Sequence, residues 1–448
     1  MIKILKYGVF CNFKVFNHIR IGIRSYMSAK QRAISGLKLL LNNTESFSQV
    51  QASWRFLNND KVSIDELFNP IFETLKTEIE KQCSRYVLAI TDWSHINYRY
   101  HNSKKEIISE NKKDKCVKKG YELQTTLAVS DITGEPIAPI AHNLRTDKKF
   151  YSTYDENIKI GTSHLEELFH RAKWIKNNLK TNKKIVHIVD RESDSVEFMR
   201  NLTKIDELFL LRVKNNSKVY YPKENIDIKQ SELADKLPLG KEVKKIKYKN
   251  KNVKIYVNEC NIEIRRDATK FIINDKGKKT LQKTKGEPIK ARFIVERLVD
   301  ENQKIVAQWL LVTNILDDSV NKETLALWYY FRWKIETYFK LLKSSGFNME
   351  KWQQTEPIAL FRRLLIVSYA CVLVWKIAND NSKNAKKIRE FLILLSGRLI
   401  EKNKEFTYPA LLAGLENYMQ MLDLISIFSI DELLHIRQEL LDIIGFDI

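Results

Sequence analysis

Cysteine is scarce, and the five present, Cys11, Cys83, Cys116, Cys260 and Cys371, are dispersed with no Cys-x2-Cys pair. An odd, scattered set argues for free thiols in a reducing compartment and against a disulfide framework or a structural zinc site. A long hydrophobic span is also missing. The longest apolar run, Leu364 to Ala378, is interrupted by Lys376 and is a few residues short of a bilayer crossing, so it reads as a buried helix. Lys14 breaks the apolar stretch at the N-terminus, and no signal-peptide cleavage pattern follows; the expectation is a soluble, intracellular protein. There is no Gly-x4-Gly-Lys-Ser/Thr loop and no Gly-x-Gly-x2-Gly after a strand, which leaves a nucleotide cofactor unsupported. His164 and His170 are six apart and do not make a zincin pair; they read as ordinary surface histidines.

Positive charge is abundant. Lysine and arginine number 76 against 55 acids, for a net charge of +21 and a pI near 9.5. That excess calls for a polyanionic partner, nucleic acid first. A lysine-rich composition throughout would explain part of the excess but not its clustering. Before Asp60 the only acid is Glu45, while Arg20, Arg24, Lys30, Arg32 and Lys38 lie among apolar positions. A basic helical unit over 1–83 suits a DNA-end reader, and a solvated helical face fits the same residues.

Two apolar runs end in aspartate. Val87-Leu88-Ala89-Ile90-Thr91 leads to Asp92, and Ile185-Val186-His187-Ile188-Val189 leads to Asp190. Each reads as a buried strand with a carboxylate at its tip. The lysine-rich stretch Ser103–Gly120 reads as an exposed loop. Between the two runs lie a hairpin, Tyr121–Ser130 and Glu135–Asn143 around Asp131-Ile132-Thr133-Gly134, and a helix opened by a Ser163/Glu166 capping box. This pattern predicts a mixed α/β sheet flanked by helices. Glu207–Val213 and Gln308–Asn314 add strands, and alternation such as Ile255/Val257 and Ile262/Ile264 predicts an antiparallel β insertion over 217–305.

Tyr329 to Lys343 contains no Gly or Pro and predicts one helix. At about 100° per residue, Tyr329, Arg332, Glu336 and Lys343 fall within an arc of about 60°. An i,i+4 Arg–Glu pair alone is what any exposed helix carries. The full spacing Tyr-x2-Arg-x3-Glu-x6-Lys is more specific: it resembles the signature of the insertion-sequence-four family of bacterial cut-and-paste DNA transposases. Asp92 and Asp190 fall where that family's first two catalytic aspartates sit, and Asp190-Arg191-Glu192 matches its second motif. Either aspartate by itself also fits a strand-end turn or a helix cap.

The resemblance covers roughly residues 50–375 and implies a ribonuclease-H-like fold with a β insertion and helical N- and C-terminal regions. It also implies Asp92, Asp190 and Glu336 as catalytic ligands of two Mg²⁺ ions, with Mn²⁺ able to substitute. Arg55 would contact the element end; Arg212, Arg332, Lys343 and Tyr329 would hold phosphates, and Trp309 an extruded base during hairpin formation. Without the resemblance, Trp309 reads as core packing. The partners implied are double-stranded DNA, both element ends and target, and a second copy of the chain, with no membrane. The resulting division is 1–83 for end binding, 84–216 and 306–380 for the two parts of the catalytic core, 217–305 for the insertion and 381–448 for a helical region. Its last helix, capped by Ser429 and Glu432, puts Leu433, Ile436, Leu440 and Ile444 on one face, which suits dimerisation or intramolecular packing. Two further readings remain open: a nuclease of the same fold, and a catalytically silent transposase-derived DNA-binding protein or inhibitor.

Overall fold

The computed structural model describes residues 51–111, 117–248, 251–273 and 279–444. The basic residues Arg20, Arg24, Lys30, Arg32 and Lys38, together with Cys11 and Cys116, lie outside the described residues. Two compact units divide the chain: residues 71–97 with 106–339, and residues 1–70 with 98–105 and 340–448.

The larger unit begins within helix α1 (Ile64–Gln82), which buries Leu67, Ile71, Leu75 and Ile79, four apart and so on one face. Its first strands are β1 (Tyr86–Asn97), β2 (Ile108–Asn111), β3 (Val117–Ser130), β4 (Pro136–Arg145) and β5 (Phe150–Ser152). Helix α2 (His164–Asn178), β6 (Lys184–Val189), α3 (Val196–Lys204) and β7 (Leu208–Arg212) come next. Then follow β8 (Lys218–Tyr221), β9 (Ile226–Lys229), α4 (Gln230–Lys236), β10 (Lys241–Tyr248) and β11 (Lys251–Ile264). β12 (Ala268–Ile273) and β13 (Lys279–Thr284) pair with each other, ahead of β14 (Ile289–Asp300) and β15 (Ile305–Thr313).

The other thirteen strands form one mixed sheet in the order β5-β4-β3-β1-β6-β7-β15-β14-β11-β8-β9, with β2 on β3 and β10 on β11. Val87–Ile90 of β1 and Val186–Val189 of β6 are buried, as expected for central parallel strands covered on both faces. The exposed loop expected over Ser103–Gly120 is corrected in part, because β2 pairs Ile108 with Gly120 and Ser109 with Lys119. The turn joining β3 to β4 needs glycine: Gly134 has φ +69°, and the ring of Phe331 fills the space a Cβ would take.

Helices α5 (Lys322–Phe331) and α6 (Trp333–Lys340) replace the single helix expected over Tyr329–Lys343. The break is at Arg332, whose N–H bonds Tyr329 O at 3.0 Å, while the Ile335 N–H bonds Arg332 O at 3.2 Å. These are tight i→i−3 bonds. Past Lys340 the chain widens into a π-turn, Leu341–Ser345.

In the smaller unit α7 (Pro357–Ala378) starts with proline in its first turn. It is long and apolar enough to cross a membrane, but most of its surface is buried inside the protein. Its Arg362 donates to Leu57 O at 2.8 Å, and its Arg363 lies over the Trp352 ring. Helices α8 (Ala385–Ser396), α9 (Tyr408–Ile425) and α10 (Ile430–Ile444) complete the unit. The Ser429/Glu432 capping box forms, and Ile436, Leu440 and Ile444 of α10 are exposed.

Candidate active site

The sheet brings two aspartates side by side. β1 and β6 run parallel, and their last paired residues are Thr91 and Val189. Asp92 and Asp190 follow at once on the two strands. Asp190 ends its strand and caps the short turn Arg191–Ser193, its carboxylate accepting the Arg191 N–H at 2.6 Å. Asp92 does not end a strand. β1 runs on to Asn97 beside β3, with Asp92 opposite Thr125; what ends next to Asp92 is its parallel neighbour.

The turn at Arg332 points its guanidinium at all the expected carboxylates. Arg332 Nη1 donates to Asp92 Oδ2 at 3.1 Å, and Nη2 donates to Glu336 Oε1 at 2.6 Å and lies 3.9 Å from Asp190 Oδ2. Its side chain is 10% exposed, whereas those of Asp92, Asp190 and Glu336 are 24%, 36% and 35% exposed. The Tyr329 hydroxyl donates to Asp190 Oδ1 at 3.2 Å, and Arg212 Nη1 reaches the same oxygen at 3.4 Å. The Arg212 guanidinium and the Tyr329 ring both lie 6.0 Å from the Trp309 ring. Trp309 is half-buried at the rim of the site.

The two aspartates titrate in opposite directions. Burial pushes Asp92 up to about 6, against the pull of Arg332. Burial also acts on Asp190, but Arg332, the Arg191 N–H, Arg212 and Tyr329 outweigh it and hold that carboxyl below its usual range. Burial and the Asp190 charge raise the Tyr329 phenol. For Arg332, burial opposes the charge, yet the surrounding phenol and carboxylates hold its proton more tightly than usual.

Three residues beside the site were overlooked or misread by sequence reasoning. His164 is not an ordinary surface histidine. Its Nε2 lies 2.8 Å from Glu122 Oε1, and its ring packs 4.6 Å from that of Trp93, the residue after Asp92. Glu122 itself was missed, having no local sequence signal. Glu296, fully buried in β14 opposite Trp309, was signalled only by an acid inside an apolar run. Arg55 and Lys343 belong to the other compact unit. Arg55 is exposed in the helical stretch 51–57, and Lys343 sits in the π-turn with its amine 3.3 Å from Glu350.

A divalent cation fits the chemistry of the donor set: all three carboxylates face the Arg332 guanidinium, which stands in for the cation. Held apart by that fork, they do not form a ready cage; among the described residues no group of three or more His, Cys, Asp or Glu is spaced to share one ion.

A family model described as Transposase DDE domain matches residues 159–375. That span, just under half of the chain, is what is similar to a DDE-type transposase domain. The matched span holds Asp190, Arg212, Trp309, Tyr329, Arg332, Glu336 and Lys343; Asp92 and Arg55 lie before it. Among solved structures, the chain is similar to a piggyBac transposase in a synaptic complex with hairpin DNA. There the identity is 11% and the TM-score 0.40, with 93% of this chain and 72% of that chain covered. No curated protein matches the chain.

Proposed function

We propose that the chain is a cut-and-paste DNA transposase of the insertion-sequence-four type, built on a ribonuclease-H-like core. It binds the ends of its element through the basic region 1–83, cleaves them by way of a hairpin and joins them to target DNA as a homodimer in the bacterial cytoplasm. The observation that carries this reading is the convergence of Asp92, Asp190 and Glu336 on Arg332. Three acids against Arg332 and Arg212 leave an excess of negative charge beside a strongly basic chain, which suits a divalent cation next to a phosphodiester. Asp92, Asp190 and Glu336 would hold two Mg²⁺ ions, which supply Lewis acidity and an activated water when bound.

The chain's own groups do the rest. Arg332 and Arg212, released from the carboxylates, neutralise the phosphate that approaches them. The Tyr329 hydroxyl donates to a phosphate oxygen, and Trp309 offers a ring face on which an extruded base stacks. Lys343 and Arg55 add sequence-independent phosphate contacts.

Cleavage of an end-bearing duplex with Mg²⁺, run beside a binding assay with metal withheld, tests the reading. Asp92→Ala, Asp190→Ala and Glu336→Ala should each abolish cleavage almost as fully as the triple variant, because ligands of one cage act as a unit. DNA binding should persist in each. A single variant that cuts at near wild-type rate removes that residue from the cage.

A second reading, a catalytically silent DNA-binding relative or inhibitor, draws on the Arg332 fork, which already engages all three carboxylates. Salt-sensitive binding by a wild-type chain that never cuts with Mg²⁺ or Mn²⁺ would select it.

A further inference from the structure

Glu296 is an anomaly at the edge of the site. It sits in mid-strand on β14, has no solvent exposure, and neither carboxyl oxygen has a hydrogen-bond partner. Opposite it are Val257 of β11 and Trp309 of β15, neither of them titratable. Directly opposed residues share a sheet face. α5 packs on β11 and β14 and carries Tyr329, which meets Trp309 edge-on. Arg212 of β7 belongs to this face too, since its partner on β15 is Leu311, two residues from Trp309. Burial raises the Glu296 carboxyl to about 8, with Arg212 the charged group that opposes the rise.

Arg212 holds its other acid loosely. Its 3.4 Å to Asp190 Oδ1 compares with about 2.7–2.9 Å for a charge-assisted bond. A buried carboxyl without a partner is unfavourable, and so is a guanidinium without a counter-charge. Each is the other's remedy.

We propose that Glu296 is a positioning residue for Arg212: its buried carboxyl receives the guanidinium whenever Asp190 is withdrawn. With Asp190 available, Glu296 keeps its proton and Arg212 leans on the aspartate. When Asp190 is neutralised, or taken by a divalent cation, Arg212 turns to Glu296, which engages two of its five donors and leaves the others for a phosphate. The Glu296 O–H then breaks, its proton passes to water, and the carboxylate pairs with the guanidinium; no electrons change hands. The cation-driven half of this exchange rests on the reading of Asp190 as a metal ligand. The half driven by loss of the aspartate's charge does not.

Infrared difference spectroscopy of the full chain at neutral pH, following the carbonyl band of a protonated carboxylic acid, tests both halves. Subtraction of E296Q should reveal one buried acid band in the wild type, and Glu296→Leu serves for the same subtraction should E296Q not fold. In metal-free D190N the band should vanish; in D190N/R212Q, where no guanidinium can arrive, it should return. Mn²⁺ added to the wild type should remove it as D190N does. Absence of a Glu296 acid band in the wild type, or its persistence in D190N, overturns the proposal. Loss of the band in D190N with no response to Mn²⁺ upholds the positioning role and counts against Asp190 as a metal ligand.

Discussion

Two arginine–carboxylate clusters in the same unit were assembled to opposite ends. Behind the sheet, α2 presents Glu167 and Arg171, whose side chains are 3% and 0% exposed. Arg171 clasps both Glu167 oxygens, at 2.9 and 2.6 Å, and spends its other donors on Thr126 and Gln124. Asn143 and the Tyr154 hydroxyl donate to Glu167 as well. One acid meets one base, and both Glu167 oxygens are occupied. Around Arg332, by contrast, three acids share that guanidinium, with Arg212 reaching only Asp190, and all three stay partly open to solvent. The closed cluster locks α2 to β3 and β4. The open one is short of positive charge by design of the sheet, which sets Asp92 and Asp190 next to each other where their strands stop pairing.

Removing one glutamate from each cluster gives the sharpest contrast. Glu167→Ala strands a fully buried guanidinium and should cost about 3–5 kcal/mol of stability, since the partner left behind has no access to water. Glu336→Ala removes one acid of three and leaves Arg332 with two, so stability should change by less than about 1 kcal/mol while cleavage is lost. Urea denaturation of both variants measures the difference. Equal losses would mean that the Arg332 cluster is as structural as the other.

A smaller effect concerns Asp92, whose folded carboxyl lies near 6 against an ordinary value of 3.8. A raised acid favours its protonated form in the fold, so its ionisation penalises folding above about pH 6 and not below about pH 4. Asp92→Asn removes that penalty. After allowance for the lost Arg332 bond, it should gain about 1–2 kcal/mol at pH 8 and nothing near pH 4, at roughly 1.4 kcal/mol per pKa unit. Thermal melts across that range measure it, and a gain that does not depend on pH would trace to packing instead.

Much of this site was legible because its signals are local. A run such as Ile185–Val189 followed by Asp190 carries its own reading, and so do the Ser163/Glu166 and Ser429/Glu432 boxes, both of which form. The break at Arg332 was not legible. No glycine or proline marks it, and two of the carboxylates that meet Arg332 there, Asp92 and Asp190, come from distant strands. Asp92 appeared to end a strand because its apolar run stops there, whereas β1 runs on to Asn97 through its pairing with β3, and no run of residues shows that pairing. Glu122 and His164 lie 42 positions apart, and nothing near either residue names the other.

That last pair yields the smallest and most local prediction. The His164 ring nitrogen bonds Glu122, and this bond raises the imidazole above 6.5, with burial opposing it. Glu122 is held below 4.5: burial would raise it, but the His164 bond and charge, Gln124 and Arg145 prevail. A raised histidine stabilises the fold fully below its unfolded value and loses that contribution as pH climbs through the folded one. A depressed glutamate stabilises above its unfolded value and loses its share as pH falls. Both contributions are present together only between about 4.5 and 6.5. His164→Gln should therefore cost the most there, about 0.5–1 kcal/mol for a half-buried pair, and progressively less toward pH 9. A destabilisation that is level from pH 5 to 9 would assign His164 to its packing on Trp93 alone, and a cost that grows with pH would reverse the sign of the linkage.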